Sequence, residues 1–386
     1  MRVPEWRDGE PAKGLLAPPV GKSIFDGAVS FPIMVLDGAA VRHNVATMAA
    51  FARDHGLLLA PHAKTTMAPA LLAAQLDAGA WGFTVATPTQ ALTLRGFGVR
   101  RIVLANQFVD PAGLRAVAAE LERDPAFEFL CFADSVAGIE ILSAAAGPRP
   151  FRVLAELGHE GGRAGCRTLG GLLDVATAAQ NAPGVELAGV AGYEGALRTA
   201  AEVRAYLGRL QEALEHLRVR EPILSAGGSQ WFDVIGRELA GCRARVVLRS
   251  GAYVTHDDGY YRERTPFTRV PGELRPALEL WAHVLSAPEP GMAVLGFGKR
   301  DAPYDEGLPV VRALRRHGRT VALGEGEVTV TKMQDQHAIV RTAAELRPGD
   351  LLSFGISHPC TAFDKWRVLP VVDDRHVVID LISTYL

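Results

Sequence analysis

Between residues 31 and 253 the chain alternates short runs rich in Val, Ile, Leu and Phe with Ala- and Leu-rich stretches of helical period. The runs at 31–36, 57–60, 81–86, 101–105, 127–133, 151–157, 185–193, 222–225 and 246–253 read as strands. The stretches between them, such as 111–123 and 200–218, read as amphipathic helices. Repeated βα units imply a parallel sheet, and eight or so of them favour closure into a (β/α)8 barrel. An open doubly wound sheet is the structural alternative.

After about residue 270 the pattern changes. Runs at 278–286, 292–297, 320–323, 338–341, 350–354 and 376–382 read as strands separated by Gly, Pro and Asp turns, with 308–316 as the one helical stretch. A mainly β C-terminal domain, a small barrel or sandwich, follows from that spacing. The expected organisation is an extension over 1–30 packing on the β domain, a barrel over 31–270 and the β domain over 271–386.

Apolar residues at 48% and charged residues at 22% lie near the globular average, so a large core is affordable and disorder is not expected after the start. The net charge of −2 is spread along the chain, which excludes a polybasic footprint for nucleic acid or anionic lipid and leaves a small molecule as the expected partner. Residues 1–21 lack an apolar signal core and no later window is apolar enough to span a membrane, so a cytoplasmic protein is expected. The four cysteines (Cys131, Cys166, Cys242, Cys360) form no C-x-x-C pair and read as reduced thiols.

Chemistry in a parallel barrel gathers after the C-terminal strand ends. There the chain reads Pro61-His62-Ala63-Lys64-Thr65. A lysine between an apolar strand and an Ala/Leu-rich helix is expected to be poorly solvated, which favours the neutral, nucleophilic amine of a Schiff-base lysine; the alternative is a lysine snorkelling to water. Ser225-Ala226-Gly227-Gly228-Ser229 and Arg249-Ser250-Gly251-Ala252-Tyr253 are Gly turns whose amides suit a phosphate nest, or plain turns. Arg163 in Gly161-Gly162-Arg163-Ala164-Gly165, Tyr193 in Gly192-Tyr193-Glu194-Gly195, and Asn106-Gln107 are polar groups at the same rim. Each also has a bland account, as a solvated arginine or a packed tyrosine. Near the C-terminus, His358-Pro359-Cys360 in an extended segment would point imidazole and thiolate to one side, the donor pair zinc prefers, while a turn with a buried cysteine is the competing account.

Taken together, Pro61-His62-Ala63-Lys64-Thr65, Leu104-Ala105-Asn106-Gln107, Gly162-Arg163-Ala164-Gly165, Gly192-Tyr193-Glu194-Gly195 and His358-Pro359-Cys360 resemble the D-serine dehydratase and D-threonine aldolase family, in order, from about residue 31 to 376. The resemblance implies an alanine-racemase-like barrel carrying pyridoxal 5′-phosphate, followed by a β domain, usually in a homodimer. It implies Lys64 as the Schiff-base lysine, with His62 in the cofactor site. Gln107 and Arg163 would lie near the pyridine and its phenolic oxygen, and Tyr193 would face the ring nitrogen. Gly227, Gly228, Ser229, Gly251 and Tyr253 would form the phosphate cup, with His358 and Cys360 as ligands of Zn2+ or another divalent ion. Cysteine at this spot resembles the dehydratase members, which convert a small D-3-hydroxy amino acid to a 2-keto acid and ammonia. An aldolase giving glycine and an aldehyde, and a non-catalytic cofactor carrier, are the alternatives. Thr66, Ala226, and the stretches Val254-Thr255-His256-Asp257-Asp258, Gly298-Lys299-Arg300-Asp301 and Asp335-Gln336-His337 depart from the aldolase pattern toward a bacterial amino acid deaminase branch.

Overall fold

The computed structural model describes residue 1 and residues 12–386. The chain divides into two compact units, one built mainly from Met48–Lys64 and Gln75–Gly251, the other from the segment ending at Thr47 with Thr65–Ala74 and Ala252–Leu386. Of the N-terminal extension, residues 2–11 lie outside the described residues.

The first strand, β1 (Ile33–Asp37), corrects the sequence reading, which placed 31–36 in the barrel. It belongs to the second unit. Its buried residues suit either sheet, and only pairing decides between them. The parallel sheet consists of β2 (Leu58–Leu59), β3 (Phe83–Val85), β4 (Arg101–Gln107), β5 (Glu128–Ala133), β6 (Phe151–Leu157), β7 (Val185–Gly192), β8 (Ile223–Ala226) and β9 (Arg245–Leu248). Its order is β2-β9-β8-β7-β6-β5-β4-β3, every pairing parallel. The ring closes where Trp81 N–H donates to Leu59 O (2.7 Å) and Thr84 N–H to Pro61 O (2.9 Å).

Inside the ring, Val103, Leu130, Phe132, Leu154, Ile223 and Val247 are buried together with small alanines. Each large side chain contributes about 1.5–3 kcal/mol by leaving water. Gly189 is the tightest point: at φ +145° a Cβ would lie 2.0 Å from Ile223 O, so β7 and β8 pair here only through a glycine. The covering helices start where the sequence supplies caps. Thr87, Asp110, Ser135, Thr168 and Thr199 each accept an amide N–H of the first turn, and Thr199 forms a full capping box with Glu202.

The second unit is a mostly antiparallel sheet, with β10 (Leu278–Glu289), β11 (Met292–Leu295), β12 (Val310–Arg316), β13 (Arg319–Ala322), β14 (Val328–Met333), β15 (Ala338–Thr342), β16 (Leu351–Gly355), β17 (Val368–Val372) and β18 (Val378–Ser383). β1 runs antiparallel to β10 and parallel to β17. The helix expected at 308–316 is the strand β12. His317 (φ +50°) and Gly318 (φ +78°) form a two-residue hairpin turn to β13, and the ladders to β13 and β16 override the helix preference of Leu and Arg. The N-terminal segment joins this unit: Gly21 N–H donates to Val378 O (2.8 Å) and Ile24 N–H to His376 O (3.0 Å). Lys13 reaches the fully buried Asp301 at 2.7 Å.

Candidate active site

Strand β2 ends in the 3-10 turn Ala63–Thr65, which places Lys64 just past the C-terminal rim of the parallel sheet. Lys64 is exposed, so the poor solvation expected from its neighbours is not found. No carboxylate among the described residues pairs with it. His62, bridged to Thr84 on β3, has its Nδ1 buried without a hydrogen-bond partner. Burial first, then the cations Lys64, Arg249 and Arg163, hold this imidazole well below its ordinary pKa, so it is neutral at physiological pH. Gly251, after β9, backs onto His62: a Cβ there would lie 2.7 Å from His62 O.

The ends of β4, β6 and β7 supply the next group. Gln107 Nε2 donates to Glu156 Oε2 at 2.5 Å, and burial raises the Glu156 pKa against the pull of this bond. Glu156, Arg163 and Tyr193 line one cavity of about 170 Å³. The Arg163 guanidinium stands over the Tyr193 ring, 5.0 Å from its centroid. Lys64 and Gln107 do not line this cavity. Asn106 instead turns to the backbone, donating to Ala86 O at 3.1 Å.

Four residues outside the sequence-derived set build this rim. Tyr206 donates to Leu157 O (2.5 Å) and accepts the Tyr193 N–H (3.1 Å), tying β6 to β7. Arg249, fully buried, bridges three strands by donating to Ser225 Oγ and Gly192 O, both at 2.7 Å. Arg167 donates to the carbonyls of Gly162, Arg163, Ala164 and Gly165 at 2.8–3.0 Å, holding the loop that presents Arg163. Glu194 accepts the amide N–H groups of Gly227 (3.0 Å) and Gly228 (2.6 Å). The two amides expected to face a phosphate are thus both taken by a carboxylate here.

In the second unit, Tyr253 is buried on the 3-10 turn Ala252–Val254. His358 is extended, but Pro359–Thr361 is a 3-10 turn, so the alternation argument for bringing His358 and Cys360 to one side does not hold. What the structure provides is an oriented imidazole. His358 Nδ1 lies 2.8 Å from Asp305 Oδ2, and the rings of Tyr260 and Tyr261 flank it at 5.6 and 5.8 Å. Since a carboxylate only accepts, Nδ1 carries a proton, and in the neutral ring the lone pair is on Nε2. No group of three His, Cys, Asp or Glu side chains that could hold a metal ion gathers among the described residues, and Cys360 is a half-buried free thiol on the turn after His358. An imidazole and a thiol are donor types that suit zinc.

Of the divergent stretches, Asp301 is structural: it accepts Gly298 N–H and Gln336 Nε2 at 2.8 and 2.9 Å and pairs with Lys13. Lys299 stands over the Tyr304 ring. His256 is buried at φ +48°, its pKa lowered by burial to about 4.

Residues 36–233 match the alanine racemase N-terminal domain, and 277–372 a putative serine dehydratase domain. A D-threonine aldolase from an Arthrobacter species is 28% identical over 363 residues, covering 90% of either chain. D-threonine aldolase from Filomicrobium marinum superposes with a TM-score of 0.77 at 23% identity, over 92% of this chain and 95% of that one. A cysteine-to-alanine variant of D-threo-3-hydroxyaspartate dehydratase, in a metal-free form, superposes with a TM-score of 0.72 at 22% identity, over 92% and 98%. At such identities the structural likeness establishes the alanine-racemase-like fold.

Proposed function

The chain belongs to the alanine racemase N-terminal domain family, and from that premise we propose that it is a pyridoxal 5′-phosphate enzyme that dehydrates and deaminates a small D-3-hydroxy amino acid to a 2-keto acid and ammonia. The observation that carries the reading is Lys64, exposed at the rim with no acidic partner among the described residues, beside a neutral His62 whose Nδ1 is unsatisfied and over which only a glycine fits at position 251. An orphaned buried nitrogen and a close backbone approach beside an exposed lysine fit a planar, phosphorylated pyridine.

Bound pyridoxal phosphate supplies an electron sink for negative charge at Cα, and a divalent ion supplies a Lewis acid for a hydroxyl. The protein's part falls to named atoms. Lys64 Nζ would hold the cofactor's carbonyl carbon, and its amine would serve as the acceptor of the Cα proton. Gln107 and Arg163 would hold the phenolic oxygen, Tyr193 the ring nitrogen, and Ser229, Gly251 and Tyr253 the phosphate. A phenol rather than a carboxylate at the ring nitrogen would leave that nitrogen unprotonated. His358 Nε2 and Cys360 Sγ would hold the metal, zinc by the softness of the thiolate. The homodimer expected from the family resemblance and the cytoplasmic setting expected from the sequence belong to this proposal as well; no helix among the described residues is long and apolar enough to cross a membrane.

Similarity to the Arthrobacter D-threonine aldolase favours a second reading, in which the same hydroxyl is deprotonated and Cα–Cβ breaks. Incubation with D-threonine separates the two. 2-Oxobutanoate and ammonia support dehydration, and glycine with acetaldehyde supports aldol cleavage. Borohydride reduction of the reconstituted protein should fix the cofactor on the peptide containing Lys64, and its recovery on another lysine would end the assignment. A carrier without turnover would give neither product pair.

A further inference from the structure

Glu194 is fully buried, yet no cation among the described residues pairs with it directly. Each carboxylate oxygen takes one amide: Oε2 that of Gly227 and Oε1 that of Gly228. Two consecutive N–H groups pointing at one anion make a nest, and this nest is filled by a side chain of the same chain. The carbonyls of the turn are tied too, since Arg249 N–H donates to Gly227 O (3.1 Å) and Ser250 Oγ to Gly228 O (2.8 Å). Gly227 sits at φ +99°, and a Cβ there would fall 2.2 Å from Leu248 Cδ1, so the turn is held in one conformation from every side. Burial decreases along it: Gly227 is buried, whereas Gly228, Ser229 and Gln230 are half-buried.

A phosphate dianion cannot share these amides with a buried carboxylate, because like charges at hydrogen-bond range repel strongly where water does not screen them. We propose that Glu194 is a positioning residue of the phosphate cradle: its carboxylate locks the Gly227–Gly228 turn so that the donors after it, beginning with Ser229, face the phosphate. The inference rests on the pyridoxal phosphate reading. It also couples the two ends of the cofactor, since Glu194 follows Tyr193 directly and a Cβ on Gly228 would lie 3.3 Å from Tyr193 Cε2. One short segment would thereby set both the ring contact and the phosphate contact.

The test compares pyridoxal phosphate with pyridoxal, which lacks the phosphate, by absorbance titration of the full-length wild type, Glu194→Gln and Glu194→Asp, alongside apo-protein melting. Glutamine turns an NH2 toward one glycine N–H, and aspartate reaches only one amide. The preference for the phosphorylated form should fall at least tenfold in Glu194→Gln and by a smaller factor in Glu194→Asp, with pyridoxal binding changed less than twofold. An unchanged preference in a folded variant overturns the proposal, as does tighter binding of the phosphorylated form, which would make Glu194 a competitor of phosphate. If Glu194→Gln does not fold, the aspartate variant decides on the same criterion. A wild type that takes up no pyridoxal phosphate at all defeats the cofactor reading itself, a result distinguishable from either.

Discussion

The Nδ1 of His358 lies 2.8 Å from one oxygen of Asp305, and the other oxygen of that carboxylate accepts the Thr361 hydroxyl at 3.1 Å. Partial burial works against the charge of Asp305, but the hydrogen bond and charge of His358 outweigh it and hold the carboxyl below its ordinary pKa. The aspartate thus sets the ring's orientation and its tautomer together. Replacing Asp305 with Ala should weaken zinc binding by roughly ten- to a hundredfold, the usual loss when a histidine ligand's outer partner is removed. Competition with a chromophoric chelator measures this, and unchanged affinity would show that His358 is not a ligand.

Arg167 spans four carbonyls of the loop that carries Arg163. Its side chain is exposed, so water recovers part of what is lost on its removal. Arg167→Ala should destabilise the loop by about 1 kcal/mol. Hydrogen exchange over 159–165 would then quicken roughly fivefold while the strands keep their protection.

Asp257 is buried, its Oδ1 accepting the N–H groups of Gly259, Tyr261 and Arg262 at 2.8–3.1 Å while Oδ2 has no partner. Burial raises its pKa to about 7 despite the three donors. A carboxyl raised in the folded state contributes stability that is complete below its unfolded pKa, about 4, and lost as pH climbs through 7. Asp257→Asn keeps the Oδ1 acceptor and removes the titration. Its Tm relative to wild type should therefore be higher at pH 8.5 than at pH 5.5, and an equal difference at both would refute the assignment.

Gly251 approaches His62 so closely that a Cβ would meet His62 O at 2.7 Å and N at 3.0 Å. Both are backbone atoms and cannot rotate away. Gly251→Ala should cost about 1–3 kcal/mol by overpacking. Urea unfolding measures that loss, and cofactor affinity should fall in the same variant because the two rim turns are forced apart.

The barrel was legible because its signal is local. Helical period, strand-length apolar runs and cap residues each lie within one window, and 111–123 coincides with the helix Pro111–Arg123. The misreadings share one cause. The runs at 31–36 and 308–316 contain the right residues for more than one environment, and partners far along the chain chose among them: β10 and β17 for β1, β13 and β16 for β12. In the site, the Gly turns and the motif positions could be named from order alone. Glu194 stood inside one of those motifs, but nothing nearby marked it as the acceptor for amides 33 and 34 positions away. Asp305 had no mark at all.

By itself, then, the sequence determined the class of fold and the residue types available at the barrel rim, because hydrophobic period and turn chemistry are properties of neighbouring residues. Only the tertiary structure decided that Lys64 is exposed, that a carboxylate occupies the glycine amides, and that Asp305 orients His358. Burial and hydrogen-bond pairing depend on groups brought together across long stretches of chain, and no local pattern encodes which of them meet.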